Sequence, residues 1–215
     1  MAKPRPGRYT WVTWLTPLLA GEAQCEFAPW FKSRFQYDKV PSDFNLASWS
    51  ADHTALLNKR VVQLRSEGWT VQVENANKFT VAGKATTLAG KVDIIATKPG
   101  RLLVSDAKTG QQRNSDFTQV CLYLFAIPMA FPDLAKGRTL EGEVCYKDRV
   151  VPISAELFKP ERRQEILDVL AMIGSDIKPM PIPSRAECAF CDITAADCNV
   201  RHGEGKAVDL FTSEF

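Results

Sequence analysis

The stretch GKVDIIATKPGRLLVSDAKTG, residues 90–110, decides how this chain folds. At its middle stand Pro99 and Gly100, a dipeptide that marks a turn. Apolar and β-branched residues flank them on both sides, which predicts two strands, residues 90–97 and 101–108, joined as a β-hairpin. With Pro99 and Gly100 at the centre of the turn, counting outward sets Asp93 directly opposite Asp106 on one face. Lys108 lies two residues beyond Asp106 and so points to that face. Like charges directly opposite are destabilising unless something neutralises them. A divalent cation would do so, with Asp93, Asp106 and the carbonyl of Ala107 as oxygen donors of the kind Mg²⁺ prefers. Such an ion would polarise a phosphate and acidify a bound water, and Lys108 would position that water or stabilise developing charge. Taken alone, Asp-x-Lys occurs by chance and usually marks a solvated strand face.

Outward from the hairpin the pattern alternates. Residues 50–67 read as a helix capped by Ser50 or Asp52, with Leu57, Val61 and Leu64 inward and Gly68 at its end. His53 lies one turn before Leu57, on the inward stripe, where it reads either as a metal ligand or as a core histidine. Residues 69–74 and 79–81 look like strands, and Glu74 is the substitute ligand candidate if His53 is core. Beyond the hairpin come a helix over 117–125, a strand over 141–153 and a helix over 160–173 with Ile166, Leu167, Leu170 and Ile173 inward. A short helix over 11–19 follows a polar, Pro-rich opening read as a loose tail. This order gives an α/β class in one domain, 1–215, with a tail over 203–215.

On the predicted helix after the hairpin, Gln119 and Tyr123 are spaced i, i+4 and share a face. The set Gly90-x-x-Asp93, Asp106-Ala-Lys108-Thr-Gly110 and Gln119-x-x-x-Tyr123 resembles the RecB-like branch of the PD-(D/E)XK nucleases. The resemblance implies a restriction-endonuclease-like mixed sheet flanked by helices. It implies metal binding by Asp93 and Asp106, with a His from the preceding helix, here His53. It further implies a catalytic Lys108, and Gln119 and Tyr123 ordering the site and contacting DNA.

There are six cysteines. Cys188-x-x-Cys191, with Cys198 close behind, has metal-ligand spacing, and Cys25 is available as a fourth donor. By spacing alone a zinc site completed by His202 is the favoured reading. Cys121 and Cys145 read as buried apolar residues. One cysteine before the nuclease motifs and three after them is similar to the iron–sulfur subset of the same family. That subset includes the AddB nuclease domain and the CRISPR-associated exonuclease known as the fourth Cas protein. The resemblance implies a 4Fe–4S cluster on Cys25, Cys188, Cys191 and Cys198, stapling a helical subdomain made of residues 9–49 and 174–202.

A net charge of +2 excludes a globally basic nucleic-acid binder, so DNA binding must come from local groups. Arg113 is the leading DNA-contact candidate, ahead of Lys32, Arg34, Arg185 and Arg201. Residues 11–20 loosely resemble a signal peptide, but threonines and Pro17 interrupt them and no A-x-A site follows. No run is long enough to span a bilayer, and a cytoplasmic location is expected. No Gly-x-x-x-x-Gly-Lys-Ser/Thr loop occurs, so helicase or integrase functions would come from a protein partner. The expected activity is Mg²⁺- or Mn²⁺-dependent hydrolysis of single-stranded DNA ends, in CRISPR, repair or phage processes. A non-catalytic, cluster- or zinc-stapled DNA-binding or assembly module is the competing reading, and a redox sensor a third.

Overall fold

A computed structural model describes residues 2–42, 44–154 and 159–203. The strands are β1 (Lys3–Pro4), β2 (Tyr9–Trp11), β3 (Phe35–Gln36), β4 (Thr70–Val73), β5 (Lys78–Ala82), β6 (Thr87–Lys91), β7 (Ile94–Lys98), β8 (Arg101–Lys108), β9 (Thr139–Tyr146) and β10 (Val150–Pro152). The helices are α1 (Val12–Leu19), α2 (Phe27–Arg34), α3 (Leu46–Ser66), α4 (Asn114–Ala130), α5 (Pro132–Ala135), α6 (Pro160–Gly174) and α7 (Arg185–Phe190).

The β7–β8 hairpin forms in the expected register, with Lys98 opposite Arg101 and Ile94 opposite Ser105. Gly100 takes φ +73°, the left-handed conformation that glycine adopts without a Cβ penalty. Around this hairpin grows a five-stranded mixed sheet, β10-β9-β8-β7-β4, in which only β8 and β9 run parallel. A parallel pair needs a long crossover, and α4 supplies it. Side chains alternate across the sheet. Ile94, Ala96 and Leu103 pack with Leu57, Val61 and Leu64 of α3. Ile95, Leu102 and Val104 join α4, α1 and α6 in the larger core. With helices on both faces, β8 is buried from Leu102 to Ala107. The fold is α/β, a mixed sheet flanked by helices.

Several expected boundaries move. The strand expected over 90–97 breaks at Val92 and Asp93. Its first half, β6, enters a separate three-stranded sheet ordered β2-β6-β5. The strand expected over 141–153 folds back as β9 and β10, closed by Tyr146 N–H donating to the Arg149 carbonyl. Helix α3 starts before Ser50, because Asn45 Oδ1 accepts the Ser48 N–H and caps it. Helix α4 extends past 117–125 at both ends. In α6, Ile166 and Ile173 are fully buried, whereas Leu167 is 41% exposed. The opening residues are not a loose tail. β1 pairs with β3, and Arg5 Nε donates to the Lys32 and Phe35 carbonyls.

Of the segment 9–49, the first part lies in the main core: Val12, Leu15 and Leu19 pack there, and β2 runs parallel to β6. A separate apolar cluster of Phe27, Trp30, Phe31 and Ile193 gathers Cys25, Cys191 and Cys198 around it. Most of the tail expected over 203–215 lies outside the described residues. Among the described residues no helix is long and apolar enough to cross a membrane.

Candidate active site and cysteine cavity

The ladder pairing β7 with β8 stops at Ile94 and Ser105, so Asp93 stands just outside it, in the bend after β6. This corrects the expected symmetric pairing. Instead of simply facing Asp106, Asp93 Oδ2 accepts the Ala107 N–H at 2.9 Å and lies 3.1 Å from His53 Nε2. Asp106, on β8, is 1% exposed. Its Oδ1 accepts from Gln119 Nε2 at 2.9 Å. Its Oδ2 has Lys108 Nζ at 2.7 Å as an ion pair, but no aligned hydrogen bond.

Burial pushes the Asp106 carboxyl up; Lys108 opposes this, and the neighbouring Asp93 charge adds to it. Burial alone would favour a neutral Lys108 amine, but Asp106 outweighs it and holds the ammonium. His53 is raised chiefly by its hydrogen bond to Asp93. The two carboxylates therefore sit close enough for Asp93 to act on Asp106, in a place nearly withdrawn from water, and Asp106 Oδ2 is held by the Lys108 ion pair. His53, Asp93, Asp106 and the Ala107 carbonyl fit a divalent cation in donor chemistry. As the side chains stand they pair with one another, and among the described residues no three His, Cys, Asp or Glu form a ready metal cage.

Gln119 is the hub behind the carboxylates. Its Oε1 accepts from Lys108 Nζ at 3.0 Å, and its Nε2 donates to Asp106 Oδ1 and to the Tyr123 hydroxyl. Tyr123 OH donates in turn to the Lys91 carbonyl at 2.9 Å. Tyr123 is 2% exposed, so in this packing its hydroxyl bonds within the site and the residue offers no surface to a DNA strand. Gly90 makes this possible. A Cβ there would come within 2.7 Å of the Phe79 ring, which packs edge-on against Tyr123.

Glu74 borders the site through its backbone, its N–H donating to the Asp93 carbonyl at 2.9 Å, while its carboxylate lies 3.8 Å from Lys91 Nζ. Among the described residues it is the one non-glycine with positive φ, at +41°. Such strain costs on the order of 1–3 kcal/mol and persists where the surroundings over-determine it. Sequence reasoning missed Asp116. It is buried, accepts the Arg113 N–H that starts α4, and accepts the Tyr146 hydroxyl at 2.9 Å. An acidic residue at the third position of a helix is the signal that marks it.

The four cysteines Cys25, Cys188, Cys191 and Cys198 line one cavity of about 610 Å³, which also meets Phe27 and Arg113. All four are free thiols. Burial raises the Cys198 thiol, and the charges of Cys191, Cys25 and Cys188 add to this. Four thiols lining one apolar cavity match a cluster in donor number, but among the described residues no three of them stand together as a group that could hold a metal ion. His202 is exposed and does not line the cavity. Cys121 and Cys145 are buried, and burial pushes Cys145 up to about 11.

The chain ends are stitched around this cavity by groups that sequence reasoning missed. Glu187 accepts the backbone N–H groups of Gln24 and Cys25. Asp192 receives Tyr37 OH at 2.9 Å, Lys32 Nζ at 2.7 Å and Lys39 Nζ at 3.0 Å. Burial would raise Asp192, but Lys32 and its other partners draw it down to about 2. Lys32 is thus spent on the fold, as are Arg34, which bonds the Ile173 and Ser175 carbonyls, and Arg201, which bonds those of Cys191 and Ile193. Arg113 and Arg185 are exposed.

A family model described as the PD-(D/E)XK nuclease superfamily matches residues 17–196, most of the chain. Among solved structures, one titled "Crystal structure of SSO0001" is similar at 18% identity. The match covers 88% of this chain and 85% of that chain, with a TM-score of 0.46. No curated protein matches the sequence.

Proposed function

Because the chain belongs to the PD-(D/E)XK nuclease superfamily, whose members are typically metal-dependent nucleases, we propose that it hydrolyses single-stranded DNA from its ends with Mg²⁺ or Mn²⁺. We place it in the RecB-like, iron–sulfur branch, beside the AddB nuclease domain and the CRISPR-associated exonuclease. The observation that carries the reading is Asp106: buried, beside a second carboxylate, and with the Lys108 ammonium at 2.7 Å as the partner of its Oδ2.

His53, Asp93, Asp106 and the Ala107 carbonyl would hold the cation, with Glu74 the substitute at its edge. When bound, the ion supplies Lewis acidity, polarising the phosphate and acidifying a water. Lys108 keeps its proton beside Asp106 and stabilises negative charge developing on the phosphate. Gln119 fixes Lys108 and Asp106 relative to each other, and Tyr123 fixes Gln119. Where it does not ligate the cation, His53 orients Asp93 through Nε2. Arg113, exposed at the start of α4, draws in the DNA backbone. Cys25, Cys188, Cys191 and Cys198 would hold a 4Fe–4S cluster whose role is a structural clamp. A helicase- or integrase-type partner would deliver the strand.

The test is incubation with linear and circular single-stranded DNA, with Mg²⁺, Mn²⁺ or chelator, using the parent and Asp106→Asn. Loss of the linear strand only, only with metal, and only in the parent is the expected result. Equal degradation of circles would exclude a strict exonuclease. Metal-independent or Asp106-independent cleavage, or none at all, would reject the reading.

A further inference from the structure

The first turn of α3 and the residues just before it carry aromatic surface that the core does not use. Phe44 is 61% exposed and Trp49 42%, with Leu46 exposed between them. Large apolar side chains left together in water are an informative exception. Their position ties them to the site. The Trp49 ring stacks on His53, with centroids 5.0 Å apart and planes 23° apart, and His53 Nε2 is the atom beside Asp93. Phe44 flanks Trp49 at 6.2 Å.

Cationic groups border the same place. Lys108 pairs across the sheet with Tyr146, and the turn that follows Tyr146 carries Lys147 and Arg149, the latter paired with Asp148 and laid over the Tyr146 ring. Lys147 reaches α3 by pairing with Asp52, next to His53, at 2.8 Å. Exposed rings beside exposed cations is the composition of a single-strand track, in which bases stack and phosphates pair.

We propose that Trp49, flanked by Phe44, is a stacking platform for an unpaired nucleobase beside the reacting phosphate, and so selects strands with free bases. The assignment rests on the nuclease reading above and adds to it the residues that set substrate class. Bases inside a duplex already stack on their neighbours and present no free face, so the platform rejects them. The free faces of Trp49 are the ones that His53 and Phe44 leave uncovered.

The test is binding, with no divalent metal added, of the full chain to a labelled thymidine strand of about ten nucleotides. An abasic strand of the same length and a blunt duplex serve as comparisons, read by fluorescence anisotropy. Trp49→Ala is expected to weaken binding of the thymidine strand about tenfold, Phe44→Ala less, and Trp49→Phe to retain most of it. The parent should bind the abasic strand about as weakly as Trp49→Ala binds the thymidine strand, a comparison that needs no variant to fold. Duplex binding should not change. Equal binding of abasic and thymidine strands by the parent, or undiminished binding by a folded Trp49→Ala, would overturn the proposal and leave the patch to a protein partner. Cleavage by the parent without base-dependent binding would sink the platform and spare the nuclease; base-dependent binding without cleavage would do the reverse.

Discussion

The ammonium of Lys108 lies 2.7 Å from Asp106 Oδ2, on a carboxylate almost wholly withdrawn from water. Removing it leaves Asp106 without its cation and, on the proposed function, the phosphate charge without a partner. Lys108→Ala should cut the single-turnover cleavage rate by about 10²–10³ or more, the usual size for one lost transition-state contact. The fold should persist, since Gln119 still donates to Asp106 Oδ1. Far-ultraviolet circular dichroism checks the fold, and undiminished cleavage would reject the role of Lys108.

Gln119 acts through its neighbours, bonding Lys108, Asp106 and Tyr123 at once. Gln119→Ala should lower activity about 10–100-fold, the range for groups that orient ligands. Combined with Lys108→Ala, the loss should fall well short of the product of the two, because a positioning residue with nothing left to position costs little more. A multiplicative double mutant would show that Gln119 touches the substrate independently.

The arrangement of the candidate site was legible in sequence because its residues lie close together along the chain and obey strand and helix periods. Asp106 and Lys108 share a face of β8, and the Pro99-Gly100 turn sets the register. The break after β6 was not legible. Val92 and Ile94 are as apolar as strand residues, and only the tertiary demand that β6 pair with β2 and β5 separates the two halves. The stitching groups Glu187 and Asp192 were equally hidden, since a single acid near a cysteine has no periodicity. The exposed aromatics at the start of α3 escaped because an amphipathic reading looks for apolar residues facing in.

Arg60 and Glu143 form a buried bidentate pair, at 2.7 and 2.9 Å, between α3 and β9. Breaking it from one side strands a charge. Glu143→Ala or Arg60→Ala should each destabilise by about 3–5 kcal/mol in denaturant unfolding. The double replacement Arg60→Met with Glu143→Leu should recover much of that loss, because it leaves no unpaired charge. If the double variant is as unstable as the singles, packing and not charge explains the site.

Gly90 is where the Phe79 ring crosses the backbone, with 2.7 Å to a would-be Cβ. Gly90→Ala must displace Phe79 and, through the edge-on contact, Tyr123. A cost of about 1–3 kcal/mol is expected, as for overpacking elsewhere. Cleavage should fall further than the loss of folded protein accounts for, because Tyr123 holds Gln119. Equal melting temperatures for the variant and the parent would contradict the contact.

The cysteine cavity makes its own prediction, because its walls come from both ends of the described chain. Cys25 enters from before α2, while Cys188, Cys191 and Cys198 enter from α7 and beyond. Anaerobically purified protein should be brown, with iron and acid-labile sulfide, and Cys25→Ser should lose both. The hydrogen bonds of Glu187 and Asp192 hold these ends without any cluster. Loss of the cluster should therefore loosen the ends and spare the sheet. In hydrogen exchange, residues 25–37 and 188–198 of Cys25→Ser should lose protection, while 94–108 keep theirs. Adding Glu187→Ala should loosen the same two segments further. Zinc in place of iron and sulfide would remove the cluster from this account, and global loss of protection would show that the clamp holds the whole domain.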